Sequence, residues 1–272
     1  MESRLTGYPA ATGPIASGTI VTDAEGLDVG EITIRSRNFD MPAYYARPAA
    51  SASPSAVLVV QEIFGVHEHI RDICRRLAKK GCFAIAPELY ARQGNVAAMT
   101  DMQEIIEKVV SKVPDEQVLA DLDSTVEYMQ ASGKADIEKL GIVGFCWGGR
   151  IVWLYSAHEP RLKAGAAWYG KLITGPYSTP AMQPAQPADV ASELHGAILG
   201  LYGGKDEGIP LSTVEQMRAN LKAAGKDKRC EIVVYPDAGH AFFADYRPSY
   251  HQHSALDAWA RMLAWFETNG LL

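Results

Sequence analysis

The chain has 272 residues and a formal net charge of −6 with no basic run, so neither nucleic acid nor an anionic membrane surface is an expected partner. No apolar stretch reaches the roughly 18 residues that span a bilayer, and the N-terminal region holds no apolar signal-peptide core. Its four cysteines, Cys74, Cys82, Cys146 and Cys230, are scattered without a CxxC pair. That spacing excludes a disulfide framework and a zinc ribbon, and points to a soluble protein of the reducing cytoplasm.

Residues 1–28 read as an extended arm, and 29–272 as one α/β domain. "EITIRS" and "MPAYYARP" read as two strands joined at "RNFD". "AVLVVQE" is a near-continuous apolar run, as a strand buried on both faces requires. A helix is expected over 68–80, ended by Gly81, followed by a buried strand in "CFAIAPELY". Two helices are expected over 98–112 and 115–131; in the second, Val118, Leu122, Val126 and Met129 form one apolar stripe. Next come the strand "LGIVGF", a helix over 146–157, and the strands "KAGAAWYG" and "GAILGLYGG". A helix over 211–224, the strand "CEIVVYP" and a last helix complete the chain. For that last helix the pattern predicts a Ser254–Asp257 capping pair, a stripe of Leu256, Trp259, Leu263 and Phe266, and a stop at Gly270. Strands alternating with helices imply a mostly parallel sheet covered on both faces.

Chemistry in such a sheet sits at the carboxyl ends of its strands. "GFCWGGR" (144–150) places Cys146 where a strand gives way to a helix, with Gly144 and Gly148 two residues to either side. A nucleophile held on a strained strand-to-helix turn needs small residues at those positions, because helix and strand approach closely there. The helix N-terminus favours a thiolate, and the backbone N–H of Trp147 faces a developing oxyanion. The competing reading is a structural glycine turn with an inert buried thiol. A hydrolase triad requires an acid and then a histidine later in the chain. Asp206 in "LYGGKDEGIP" and His240 in "YPDAGHAFF" follow buried strands in that order. Taken singly, each has a plain alternative, a turn or cap aspartate and a loop histidine.

These residues resemble the dienelactone hydrolase (carboxymethylenebutenolidase) family of α/β-hydrolases. The resemblance runs from about residue 30 to the end through "VVQEIFGVHEHIRD", "APELYARQG", "GIVGFCWGGR", "AWYG", "GGKDEGIP" and "YPDAGHAFF". It implies an α/β-hydrolase fold and a Cys146–His240–Asp206 triad acting on a small ester or lactone without metal or organic cofactor. It further implies that Glu62 holds the resting thiol as a neutral partner until substrate displaces it. Ile63 then supplies a second oxyanion N–H beside that of Trp147, and Tyr169, in "AWYG", belongs to the substrate site. The family's substrate carries a carboxylate held by arginines, so Arg92 of "LYAR" is a candidate anion ligand. The second family arginine falls at Ala244, and Arg247 is the nearest substitute.

The Pro-rich segment 173–188 is longer than compact family members need and is stiff enough to cover the site, with Tyr177 or Met182 as lining residues. "HEH" (67–69) and "HQH" (251–253) sit at helix starts, where the histidines diverge, so no metal site is expected. Cys74, Cys82 and Cys230 read as core. Other readings remain open: an esterase or thioesterase of different acyl preference, a redox-sensing thiol on a hydrolase scaffold, or a non-catalytic binding protein. A monomer or a small homo-oligomer fits equally.

Overall fold

The computed structural model describes residues 19–175 and 179–272. Strands β1 (Leu27–Ser36) and β2 (Phe39–Pro48) form an antiparallel hairpin. Its turn is only Arg37 and Asn38, since Ser36 pairs with Phe39, and Arg37 takes a φ of 53° to close it. The next strands are β3 (Ser55–Val60), β4 (Cys82–Pro87), β5 (Asp136–Phe145), β6 (Leu162–Trp168), β7 (Ala197–Gly203) and β8 (Glu231–Tyr235). They join the hairpin in one sheet of order β1-β2-β4-β3-β5-β6-β7-β8, parallel from β4 onward. This is the mostly parallel sheet of an α/β-hydrolase.

Parallel strands need crossover connections, which put helices on both sheet faces and bury the strands twice over. Every residue of β3 and β4 is accordingly buried. The helices are α1 (Glu68–Lys79), α2 (Met102–Lys108), α3 (Asp115–Ser132), α4 (Trp147–His158), α5 (Leu211–Ala223) and α6 (Gln252–Thr268). On α3 the stripe Val118, Leu122, Val126 and Met129 is fully buried, as its spacing requires. Cys74, Cys82 and Cys230 are core residues. Residues of the N-terminal segment lie along α1: Thr22 N–H donates to Asp72 at 2.6 Å, and Lys79 pairs with Asp23 at 2.6 Å.

Strand order reverses at β3, whose neighbours β4 and β5 come from opposite winding directions. The loops leaving β3 and β5 therefore part, opening a crevice at their carboxyl ends. Glu62 and Ile63 leave one strand and Cys146 leaves the other.

Two expected helices differ. The stretch 98–112 is broken into a 3-10 turn at Val96–Ala98, the short α2, and a second 3-10 turn at Val110–Lys112. Asp101 starts α2 by accepting the Glu104 N–H at 2.8 Å, a cap that divides the apolar pattern. Helix α6 begins three residues earlier than a Ser254 cap allows, with His251 at the cap position. Ser254 is buried against His251 at 2.8 Å, and Asp257 accepts from Tyr235 and Arg261 instead. The buried face carries Ala255, Ala258, Met262 and Phe266, and Leu256 is 55% exposed. Of the expected stripe, Phe266 is buried and Trp259 and Leu263 pack against the core's edge; Leu256 alone turns outward, because the small Ala255 and Ala258 take the closest approach.

Candidate active site

The turn after β5 carries the strain that the glycine spacing anticipates. Cys146 has φ 54° and ψ −113°, a conformation that costs a non-glycine residue energy and persists only when the surroundings enforce it. Enforcement comes from close backbone approach. A Cβ on Gly144 would lie 2.2 Å from the Gly148 carbonyl oxygen, and one on Gly148 would lie 2.5 Å from the Val60 and Gln61 oxygens. The Cys146 N–H is tied to the Trp168 carbonyl at 2.9 Å, and its own carbonyl accepts from Gly149 at 3.0 Å. The thiol is thus presented at the start of α4.

Two loops bring their side chains to it. His240, after β8, has Nε2 3.1 Å from Cys146 Sγ and Nδ1 2.7 Å from Asp206 Oδ2. Asp206, after β7, has a side chain only 1% exposed, and its Oδ1 accepts the Gly208 N–H at 2.9 Å. Burial depresses the His240 imidazolium, but the negative charge available at Cys146 and the hydrogen-bonded Asp206 outweigh it and raise the ring to about 10. The Tyr169 ring meets that of His240 edge-on at 5.2 Å. These residues border a cavity of about 490 Å³ that also touches Ile63 and Trp147. Trp147 is the first residue of α4, so its N–H lacks an intrahelical acceptor. The Ile63 N–H donates to no backbone carbonyl among the described residues. Both donors are available to a ligand oxygen.

Glu62 is placed differently from the expectation. It makes no hydrogen bond to Cys146 among the described residues. Its Oε2 accepts from Tyr246 Oη at 2.5 Å and from His67 Nε2 at 3.2 Å. Burial alone would raise this carboxyl, but the His67 hydrogen bond and the positive fields of His67, His69 and Arg247 hold it below the usual glutamate range. The neutral Glu62 expected to hold the thiol is therefore replaced by an anion held by two other donors. His67, for its part, is lowered, because burial disfavours its charged form more than Glu62 favours it. Nor do the histidines of "HEH" diverge: His67 and His69 stack at 6.1 Å, and His69 Nδ1 approaches the buried Asp245 at 3.2 Å. Among the described residues, the second oxygen of Glu62 and the hydroxyl of the fully buried Tyr169 have no hydrogen-bond partner.

Both arginine expectations are corrected. Arg92 pairs with the buried Asp121, donates to the Ser36 carbonyl at 3.1 Å and covers the Phe39 ring at 4.6 Å. It ties α3 to the β-hairpin and does not border the cavity of Cys146. Arg247 lies over Phe64 at 5.4 Å, close enough to Glu62 to act on its charge, but it is likewise off the cavity wall. Ala244 is fully buried. The segment after β6 does border the cavity, through Ile173, Gly175, Gln183 and Gln186 rather than Met182, while Tyr177 lies outside the described residues.

Three contributors escaped the sequence reading. Tyr246 and His67 fix Glu62, and no local motif marks a tyrosine six residues past the histidine for that task. Arg150 closes "GFCWGGR" and holds Asp115 through two 2.7 Å hydrogen bonds, Gln186 at 2.8 Å and the Ala185 carbonyl at 2.8 Å. It locks α3 and the loop after β6 onto the elbow helix. A charged residue one turn inside a buried helix was the available signal.

Comparison with known proteins places this geometry among relatives. Residues 41–270 match the family described as "Dienelactone hydrolase family". The chain is 54% identical over 270 residues to a "Putative carboxymethylenebutenolidase" of Methylorubrum extorquens, covering 99% of this chain and 91% of that protein. A protein of the same description from Escherichia coli K12 is 54% identical over 269 residues, covering 98% and 97%. The crystal structure of a "Putative Dienelactone Hydrolase" from Klebsiella pneumoniae superposes with a TM-score of 0.84 at 55% identity, covering 89% of this chain and 98% of that one.

Proposed function

The chain belongs to the dienelactone hydrolase family and is a hydrolase of lactone or ester bonds; from that premise we propose that it works through a Cys146–His240–Asp206 triad on a small carboxylic ester or lactone. The observation that carries the reading is the unbroken line from Sγ through both ring nitrogens to the buried carboxylate, at 3.1 and 2.7 Å, on the wall of a cavity.

The steps follow from those contacts. Asp206 accepts from Nδ1–H and so leaves Nε2 to receive the thiol proton. The thiolate attacks the carbonyl carbon, forming a C–S bond, and the carbonyl oxygen becomes an oxyanion that accepts from the N–H groups of Ile63 and Trp147. When the oxyanion collapses, the C–O bond breaks and His240 returns its proton to the departing alkoxide. Water, deprotonated by His240, then attacks the thioester, releasing the acid and restoring the thiol. Glu62 is a fixed anion beside these groups rather than the thiol's proton partner. A catalytic thiol favours a reducing compartment, in keeping with the cytoplasm.

The test is turnover of p-nitrophenyl acetate and of a dienelactone by wild type and Cys146→Ala, with mass spectrometry of the quenched enzyme. Expected are an acyl adduct on Cys146 in the wild type and loss of turnover in the variant. Undiminished hydrolysis by a folded Cys146→Ala would remove the reading.

A further inference from the structure

We propose that the pocket beside Cys146 selects neutral esters with an apolar acyl chain and disfavours substrates bearing a carboxylate; this rests on the triad reading above. The argument is a charge census of the cavity wall. Besides the triad's own His240, three cationic side chains among the described residues border it: Arg150, Lys171 and Lys205. Arg150 is 4% exposed, and four hydrogen bonds tie its guanidinium to Asp115, Gln186 and the Ala185 carbonyl. Lys205 is paired with Asp237 at 2.9 Å. Lys171 alone has no ion-pair partner among the described residues, and it is a solvent-exposed ammonium on a flexible stem. The exposed Glu207 borders the same cavity and opposes it. Arg92 is consumed by Asp121, Arg247 is off the wall, and Ala244 is buried without charge. Among the described residues the wall's one guanidinium, Arg150, is thus already bidentate to Asp115, and none is left to grip a substrate carboxylate.

What the wall offers instead is hydrocarbon. Ile63, Ile106, Val110, Trp147 and Ile173 approach from the loop after β3, from α2 and the turn beyond it, from the head of α4 and from the segment after β6. The edge of Tyr90 against the Trp147 ring at 4.9 Å holds that indole in place. A carboxylate entering this space gives up its water and, among the described residues, meets only the exposed, flexible ammonium of Lys171 opposed by Glu207, whereas each methylene that enters releases water. The volume of about 490 Å³ accommodates a chain of several carbons beside the reacting carbonyl.

The experiment compares kcat/KM for p-nitrophenyl acetate, butyrate, valerate and hexanoate with that for mono-p-nitrophenyl glutarate, which matches valerate in length but ends in a carboxylate. The neutral series is expected to rise by up to roughly fourfold per methylene, and the glutarate to fall at least roughly tenfold below valerate, the loss expected when a charge is desolvated without a partner. Ile106→Asn is expected to lower the hexanoate-to-acetate ratio roughly fivefold, as one apolar contact is replaced by a polar group. A flat neutral series, or a preference for the glutarate, with hydrolysis still lost in Cys146→Ala, overturns the proposal and leaves the triad standing. Absence of any Cys146-dependent hydrolysis across the series overturns the triad reading and the proposal with it.

Discussion

Two of the histidine–carboxylate pairs at this end of the sheet, His240–Asp206 and His67–Glu62, differ in nearly everything but composition. His240 faces Asp206 at 2.7 Å and His67 faces Glu62 at 3.2 Å. The first ring is 38% exposed to the cavity and has a thiol on its other nitrogen; the second is 4% exposed and shares its carboxylate with Tyr246. Burial depresses both rings. At His240 the charge at Cys146 and the Asp206 hydrogen bond overcome burial and raise it, while at His67 burial prevails and the ring is lowered. The lesson is that a histidine–carboxylate pair becomes chemically useful through its third partner and its access to a ligand. The pair by itself is equally a structural device.

That contrast can be broken by substitution. The largest expected effect is on turnover: Cys146→Ala or His240→Asn lowers kcat roughly 10⁴-fold or more, whereas His67→Asn lowers it by less than about tenfold, because His67 acts only through Glu62. Equal losses in steady-state assays would erase the distinction. Next, Asp206→Asn reduces kcat by roughly 10²- to 10⁴-fold at little change in KM, since the imidazole adopts the wrong tautomer. Glu62→Gln, by contrast, should stay within about tenfold, because an amide still accepts from Tyr246. A larger loss in Glu62→Gln than in Asp206→Asn would reverse the assignment of roles.

Stability separates the pairs more gently. Tyr246→Phe removes a donor from a buried carboxylate and is expected to cost about 1–3 kcal/mol in urea denaturation, with the pH profile of kcat retained. The smallest effect is a tilt of stability with pH. Glu62 is lowered in the folded protein, so its contribution is complete above the ordinary glutamate range and is lost as pH falls through the folded value. His240 is raised, so its contribution is complete below the ordinary histidine range, about 6.5, and is lost as pH rises toward about 10. Melting temperatures across pH should therefore lose their acid limb in Glu62→Gln and part of their alkaline limb in His240→Asn. An unchanged acid limb in Glu62→Gln counts against a buried anion there.

Legibility followed the range of the interaction. Buried parallel strands are written in contiguous apolar runs, and the elbow in glycines two residues from a cysteine, because both constraints act between near neighbours in the chain. Along α6 the predicted stripe fails at its start: Leu256 is exposed and Ala255 and Ala258 make the close contact, while Trp259 and Leu263 pack at the core's edge and Phe266 is buried. Close helix–sheet approach selects small residues, and a hydrophobic count underweights them. Position 92 shows the same limit in a charged residue. "LYAR" places an arginine after β4, but its direction is decided by Asp121, one of the buried carboxylates of α3.

The sequence by itself therefore determined the alternation of strands and helices, the strained turn at Cys146, and the order of the acid and the histidine after it. Each depends on local sterics, on period, or on the end of a strand. Only the tertiary structure decided which partner each buried carboxylate meets: Asp121 takes Arg92, Asp115 takes Arg150, and Glu62 takes Tyr246 and His67. Those pairings join residues from separate elements. A buried charge is stable only beside whatever partner the packing brings within about 3 Å, and chain order does not encode that distance.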